Sequence, residues 1–539
     1  NTIHRKLASS AAHVYGKTII SNESFTWLRF PRFTVTLENI KAAADSIFLD
    51  GMNQIVNHGY AYSPEDSSEL GWPFYASSQI NHKNTWWPYY KYVSVYMNRV
   101  CDFLRRGKTK INLAIYLPQA DIWAENPLSD IHMCMKLEER MTTEIVDGIH
   151  KAGFWFDYVN DEVLTHWQDY EYEGLMLLEC DRITIETARN IEAFATSGRA
   201  VICKGHVPRR SCGLLEYEEN TKGINEIFGE LVDKNLCKVT ADTLQDVTEI
   251  LGKYISRDVI FEYHKETIGY VHQVEDEKDI YFISNISNEK KKERITFFNQ
   301  IKHFVAMDPM TAMEKELLCV TQDGKNTIID LDMEPYQSII FVFTPQMMDE
   351  YKVVKPVKEI NFLDVSENWE FSVPNKGFQK KYQRLNGWEL EQELKYYSGE
   401  GVYQKEFVIT QTMQNIIKKS TSMILQLEHI GEVATIYLND AEVGNLFMKP
   451  YKIDITSFLK QGVNTLEIRV KNLLINRAID PSYPQDDYKE PVITEWPYTT
   501  EKLNRGRQER VYNWRERDMI KVPVTSGIWG KIEIKSIEK

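Results

Sequence analysis

The sequence predicts a multidomain protein, α/β in its first half and all-β in its second. Three observations carry this expectation. The chain has 539 residues, more than one core can organise. Up to about residue 256, stretches of helical period alternate with short buried strands. Beyond that point, short strands follow one another with turn residues between them.

Residues 1–107 begin with a helical stretch over 7–15, then Thr18-Ile19-Ile20, a buried strand running into a polar tip that carries Glu23. A second helix over 37–49 is marked by Ile40, Ala44, Ile47 and Phe48. A second strand, Gln54-Ile55-Val56, ends in Asn57-His58-Gly59-Tyr60. Helix before strand, with polar groups at the strand tips, is the pattern of the end of a parallel (β/α)8 barrel. Two strands cannot close a barrel of eight, so six are expected upstream of Asn1. A long loop over 60–90 concentrates Trp72, Phe74, Tyr75, Trp86 and Trp87, and loops of this length are usually functional. A helix over 92–106 closes the segment.

Residues 108–256 place buried strands at 111–117, 154–159, 175–178 and 200–203. Helices run over about 131–152 and up to Thr196, with Gly198 as a stop. This reads as a doubly wound α/β domain. No GxGxxG or Walker sequence follows its first strand, which argues against a nucleotide site. Residues 257–346 read as a small β-sandwich, with strands at 282–284, 294–298, 327–331 and 338–343 and a turn at Asp323-Gly324. The polar stretch 347–358 reads as a linker. Residues 359–539 read as a second β unit, a sandwich or jelly roll, with strands at 425–427, 433–438 and 465–470 and a turn at Asn439-Asp440.

The net charge of -14 leaves no basic surplus to neutralise phosphates and argues against a general nucleic-acid binder. No apolar run reaches the roughly 18 residues of a membrane span. No signal peptide follows Asn1, so a leader has been removed or the chain starts inside a longer protein. The seven cysteines show neither a CxxC pair nor metal-ligand spacing and read as reduced, buried thiols. Aromatic residues, at 12%, fit sugar platforms and β-rich cores equally well.

Several strings resemble glycoside hydrolase family 106, the α-L-rhamnosidases. They are Ala8-Ser-Ser-Ala-Ala-His-Val-Tyr-Gly-Lys17, Glu23-Ser-Phe-Thr26, Gly51-Met-Asn-Gln-Ile-Val-Asn-His-Gly59 and Asn84-Thr-Trp-Trp87 followed by Tyr96, Arg99 and Leu104. The resemblance continues through Asp157-Tyr158, Asp308-Pro309, 431–439, Lys449-Pro-Tyr451, 462–464, Asn472-Leu473 and Asn476-Arg477. The sequence departs from the pattern at Met307 and at Ala312, where a Trp and a Gly are expected. The resemblance implies a catalytic barrel over 1–107 whose seventh strand ends at Glu23 and eighth at His58. It further implies a flavodoxin-like domain over 108–256, the sandwich over 257–346, and a galactose-binding-like jelly roll over 359–539. It also implies inversion, a calcium ion at the sugar, a carbohydrate substrate with terminal L-rhamnose, and a bacterial polysaccharide-degrading setting with export.

Glycoside hydrolysis by inversion needs an acid on the leaving oxygen and a base on water, roughly 6.5–9.5 Å apart. Glu23, between Asn22 and Ser24, suits the ionised base, since neighbouring donors favour the charged form. The general acid is expected on an earlier strand. His58, Asn57, Tyr60, Trp86 and Trp87 are the candidate substrate-binding residues, with Tyr62 at the same mouth. Each has a bland alternative: a surface glutamate, a packed histidine, plain core tryptophans. No EF-hand-like spacing exists, so no calcium ligand is named. Glu125, Asp157, Asp161 and Glu162 read as loop acids of the companion domain, and Lys290-Lys-Lys292 as a solvated turn. Asn439, Lys449 and Tyr451 read as turn-shaping residues more than sugar contacts. Two other functions stay open. One is a non-catalytic carbohydrate-binding or scaffolding chain. The other is a retaining β-galactosidase-like enzyme, with carboxyls about 5–5.5 Å apart.

Overall fold

The computed structural model describes residues 2–27, 33–60, 62, 63, 65, 67, 69–71, 78–125, 133–298, 303–315, 319–323, 326–345, 358–483 and 522–538, the side chains of 2, 133, 134 and 319–323 excepted. Trp72, Phe74, Tyr75, Gly324 and the stretch 347–357 lie outside the described residues.

The first segment runs helix Thr2–Val14, strand Ser21–Ser24, helix Leu37–Phe48, strand Gln54–Asn57, helix Trp87–Leu104. The two strands pair in parallel, Ser21 opposite Gln54 and Ser24 opposite Asn57. The ladder starts three residues later than the apolar run suggests, because a side chain takes over before it. The Asn53 amide accepts from the Ile20 N–H at 2.8 Å and donates to the Thr18 carbonyl at 2.9 Å. Helix Leu37–Phe48 opens with a reciprocal capping box between Thr36 and Asn39. The last helix starts five residues earlier than expected, since Pro88 sits in its first turn, where a missing N–H costs nothing.

A five-stranded parallel sheet follows, in the order Phe156–Val159, Leu113–Tyr116, Gly174–Leu178, Ala200–Lys204, Cys237–Thr240. The single helix expected over 131–152 is two, Met133–Arg140 and Thr143–Lys151. Thr142, at φ −41° and ψ 142°, leaves helical space between them. The next unit stacks a six-stranded and a four-stranded antiparallel sheet, and Lys108–Thr109 joins the edge of the larger one by pairing with Ile268–Glu275. Strand Lys291–Phe297 contains two of the three lysines expected in a solvated turn. Lys290, just before the strand, pairs with Asp332 at 3.2 Å, and Lys291 with Glu289 at 2.5 Å. The C-terminal unit stacks a four-stranded sheet on a six-stranded one. Its sheets share a core of their own, whereas Leu473, Leu474, Ile475, Ala478 and Tyr483 join the large core that runs through the first segment, the parallel-sheet domain and the sandwich.

Two polar joints hold the units together, and a third braces the sandwich from within. Lys41 and Asp45, one turn apart on helix Leu37–Phe48, pair at 2.5 Å. Lys41 also donates to Ser338 Oγ at 2.7 Å and to the Tyr336 carbonyl. Asp45 accepts from Ser284 at 2.5 Å, from Ser338 at 2.8 Å and from the Tyr96 hydroxyl. His13 meets Asp157 at 2.8 Å and Thr109 at 3.1 Å, which ties the first helix to the parallel sheet. His272 lies between Asp258 at 2.9 Å and Asp279 at 3.1 Å, stacked on Tyr281.

Of the described thiols, Cys101, Cys180, Cys203 and Cys237 are free and buried, and Cys212 is free and half-buried. Among the described residues no helix is long and apolar enough to cross a membrane.

Burial alone would lower the pKa of His272, but Asp258 and Asp279 outweigh it and hold the ring up at about 9. A raised imidazolium stabilises the fold fully below its unfolded pKa of about 6.5 and loses that contribution as pH rises through about 9. The stability advantage of wild type over His272→Gln should therefore shrink by on the order of 3 kcal/mol from pH 6 to pH 9.5. Urea unfolding at both values measures it, and an advantage that does not change with pH removes the charge from the account. Ala312 stands at φ +61°, a conformation that favours glycine. Ala312→Gly should raise stability by about 1 kcal/mol, and a lower melting temperature would contradict this.

Candidate active site

Glu23 lies inside strand Ser21–Ser24, opposite Val56 in the parallel ladder. Side chains alternate across a strand, and ladder partners share a face. One face of the pair packs on the helices: Ile20 is buried with Ala12, Ile47 and Met52, and Ile55 lies against them. The other face carries Glu23 and Val56 and is open, with Val56 50% exposed and Ile19, just before the ladder, 57% exposed.

Phe25, at φ +70°, turns the chain directly after the strand. The turn brings the Thr26 hydroxyl back to donate to Glu23 Oε1 at 3.1 Å. This corrects the expected donors. Asn22 spends its amide on the Glu23 carbonyl at 2.7 Å and on Ser24 Oγ at 2.9 Å. The Ser24 hydroxyl donates to the Asn22 carbonyl at 2.9 Å.

At the tip of the second strand, the His58 N–H donates to the Ser24 carbonyl at 2.8 Å and extends the ladder by one residue. Beyond it, rings gather in an arc. Tyr60 stacks on His82 and bonds its Nδ1 at 2.9 Å through the hydroxyl. Tyr60 also meets Trp87 edge-on, at 5.8 Å between centroids. Trp87 in turn lies parallel to Tyr90 at 5.7 Å. Burial pushes the Tyr90 hydroxyl up to about 12. Asn57 beside it offsets part of that without reaching hydrogen-bond geometry. Tyr60 is 55% exposed and Tyr62 65%, whereas Trp87 is half-buried and Tyr90 buried, so the arc meets solvent at its Tyr60 and His82 end. Trp86 takes the bland role: it is wholly buried, its indole N–H on the Val35 carbonyl at 2.9 Å.

Sequence reasoning missed His82, Tyr90 and Thr26. Tyr90 was findable, since it follows Trp87 by three residues on a helix and must share its face. His82 and Thr26 carry no such signal, because only the chain's turns bring them back.

The four acids read as loop residues of the companion domain have structural work. Asp157 is a strand residue, buried, and holds His13 and Tyr172. Asp161 and Glu162 open a short helix, where Asp161 accepts from Tyr116 at 2.8 Å and Glu162 from Tyr15 at 2.8 Å. Glu125 pairs with Arg140 at 2.5 Å, at the edge of a cavity of about 200 Å³ also lined by Ile122, Lys136, Glu139 and Glu179. The charges there bind one another: Lys136 pairs with Glu139 and Lys204 with Glu179. We read this cleft, remote in sequence from the strand tips, as an ion-pair network.

In the last unit, Asn439 bonds the Phe458 carbonyl and Asn464 and shapes a turn. The Lys449 N–H donates to Glu38 at 3.1 Å, and its ammonium reaches Asn288 at 3.1 Å. Tyr451 is raised in pKa by burial and by the Glu432 and Glu38 carboxylates beside it. Lys449 and Tyr451 thus serve the contact with helix Leu37–Phe48. Among the described residues no three His, Cys, Asp or Glu side chains come together as a metal site. The expected calcium ion has no such set of carboxylates among the described residues.

Residues 2–317 match the model of glycoside hydrolase family 106, described as alpha-L-rhamnosidase. Residues 378–530 match the galactose-binding domain-like model of glycoside hydrolase family 2. A curated "Putative beta-glucuronidase" of Formosa agariphila is 25% identical over 308 residues, 54% of this chain and 24% of that protein. The rhamnosidase structure from Novosphingobium sp. PP1Y superposes with a TM-score of 0.71 at 19% identity, over 99% of this chain and 49% of that one. That is a likeness of fold. The chain spans about a quarter of the curated relative's length and about half of the rhamnosidase's.

The Asn53 amide is the clasp that aligns the two strands before their ladder begins. Asn53→Ala leaves the buried Ile20 N–H short of a partner, so a loss of about 1–3 kcal/mol is expected in chemical denaturation. A loss below about 0.5 kcal/mol would mean that the backbone ladder alone sets the register.

Proposed function

The chain belongs to glycoside hydrolase family 106, and from that premise we propose that it forms part of an inverting α-L-rhamnosidase in which Glu23 is the general base. The observation that carries this reading is the setting of Glu23. It stands on a parallel strand, on the open face of the pair, steadied by the Thr26 hydroxyl at 3.1 Å. The neighbouring strand leads into the arc of Tyr60, His82, Trp87 and Tyr90.

On this reading the Glu23 carboxylate takes a proton from water as the water oxygen attacks the anomeric carbon. A second carboxylic acid on the opposite side of the sugar protonates the leaving oxygen. The charge that develops on the ring is oxocarbenium-like. The exposed faces of Tyr60 and Trp87 offer stacking surfaces to the apolar side of a deoxysugar, with His58 and Asn57 as hydrogen-bonding groups at the same tip. The two strands are read as the last pair of a (β/α)8 barrel, which is supported by their parallel pairing and the helix before each. The open face would then be barrel interior, and the general acid would come from strands outside the described residues. The substrate is a glycoside or polysaccharide ending in L-rhamnose.

Glu23→Gln in the protein as the cell makes it should lower turnover of an aryl α-L-rhamnoside by about 10²–10⁴-fold. Its unfolding should be unchanged, because the side chain is exposed. Proton NMR of the first turnovers should show β-L-rhamnose. Wild-type turnover in the mutant removes Glu23 from the mechanism. An α product replaces inversion with retention, and an inert wild type favours the carbohydrate-binding alternative.

A further inference from the structure

The C-terminal jelly roll reaches back to the aromatic loop at several points. Arg477 pairs with Glu69 at 2.7 Å, and with Asp480 of its own unit at 2.6 Å. Its guanidinium lies 4.6 Å from the ring centre of Tyr483, whose hydroxyl accepts from the Leu70 N–H at 3.5 Å. The Thr85 hydroxyl donates to the Asn472 carbonyl, and the Tyr89 hydroxyl meets Thr435 at 2.8 Å. Glu69 and Leu70 stand within the stretch that starts at Tyr60, and Thr85 stands two residues before Trp87. The polar contacts are backed by apolar ones, since Leu473, Ile475, Ala478 and Tyr483 belong to the large core that includes the first segment.

The rim that makes these contacts is itself braced. The Asn472 amide donates to the Tyr397 carbonyl at 2.8 Å and to Ser526 at 2.9 Å, and accepts from the Gly399 N–H at 2.9 Å. The Asn476 amide holds Val524 through both its N–H and its carbonyl. Asn472 and Asn476 thus spend their amides within their own unit and present a fixed edge, and a fixed edge can fix what it touches.

Building on the rhamnosidase reading, we propose that Arg477 is a positioning residue of the sugar site: through Glu69 it latches the loop that carries Tyr60, and the jelly roll thereby sets the shape of the aromatic arc. The unit acts as a brace for the site rather than as a separate sugar-binding module. Arg477 does not touch the strand tips. It acts on substrate binding, and therefore on KM more than on kcat.

Arg477→Gln and Glu69→Gln each remove the pair, and the second lies at a largely exposed carboxylate, 54% accessible, so it does not threaten folding. With 4-nitrophenyl α-L-rhamnopyranoside, each should raise KM by roughly fivefold while kcat falls less than about twofold. The double variant should be no worse than either single one, and Arg477→Lys should recover part of the loss. Amide hydrogen exchange in peptides spanning 60–87 should quicken in both single variants, with the parallel sheet unchanged. Unchanged exchange and unchanged KM overturn the latch. Faster exchange at wild-type KM makes the contact merely structural and overturns the positioning role. If wild type cleaves no rhamnoside, the reading of function fails first, and the exchange measurement alone still decides whether the latch exists.

Discussion

The buried pair Lys41–Asp45 is the constraint on which the rest depends. Two charges are taken out of water on one helical turn, which is costly unless every remaining donor and acceptor is used. Burial lowers the Lys41 pKa, and Asp45 opposes that. The remaining partners come from elsewhere: Tyr96 from helix Trp87–Leu104, and Ser284 and Ser338 from two strands of the sandwich. The pair is satisfied only when the two helices behind the strand tips and the large sheet are all in place. Removing one partner would strand a buried charge, a loss of about 3–5 kcal/mol. The backing of the site and the sandwich are thus locked to each other at atomic distance, and the strand carrying Glu23 inherits that rigidity.

Most of the strings that mark the family serve such joints. Ser10 accepts from the Tyr158 N–H at 2.9 Å and His13 binds Asp157. Gly51, at φ +89°, packs so closely that a Cβ there would stand 3.0 Å from the Ser9 Cβ and 3.4 Å from Trp155. Arg99 donates to the Pro309 and Met310 carbonyls and so caps the turn that Asp308 opens. Lys449 reaches Glu38. What recurs along the chain is largely the set of groups that must be buried in pairs when four units meet, because an unpaired polar group at a joint is costly.

This explains what was legible in the sequence. The alternation of helix and strand, the two sheets of each β unit and the membership of the family could be read from apolar period and from motif order. Glu23 could be singled out because it is the one acid on the first strand. Strand ends were less legible. Thr18–Ile20 looks like the strand because it is apolar, yet the ladder belongs to the polar Ser21–Ser24, since pairing is decided by the partner strand and by Asn53. Trp86 and Trp87 are adjacent in sequence and opposite in fate, one core and one arc, because successive residues on a helix face about 100° apart. The hydrogen-bond partner of Glu23 could not be read at all, because it depends on the φ of a single phenylalanine.

The joint between His13 and Asp157 spans 144 residues of chain. A ribosome adds roughly 5–20 residues per second, so the first helix emerges many seconds before the sheet that buries it exists. During that interval the side chain of Lys6, buried in the finished molecule, stands in water. The strand carrying Glu23 follows that helix directly and waits with it. This helix is therefore made well before it is secured, and whatever shelters it in the meantime determines how much of the protein is born intact.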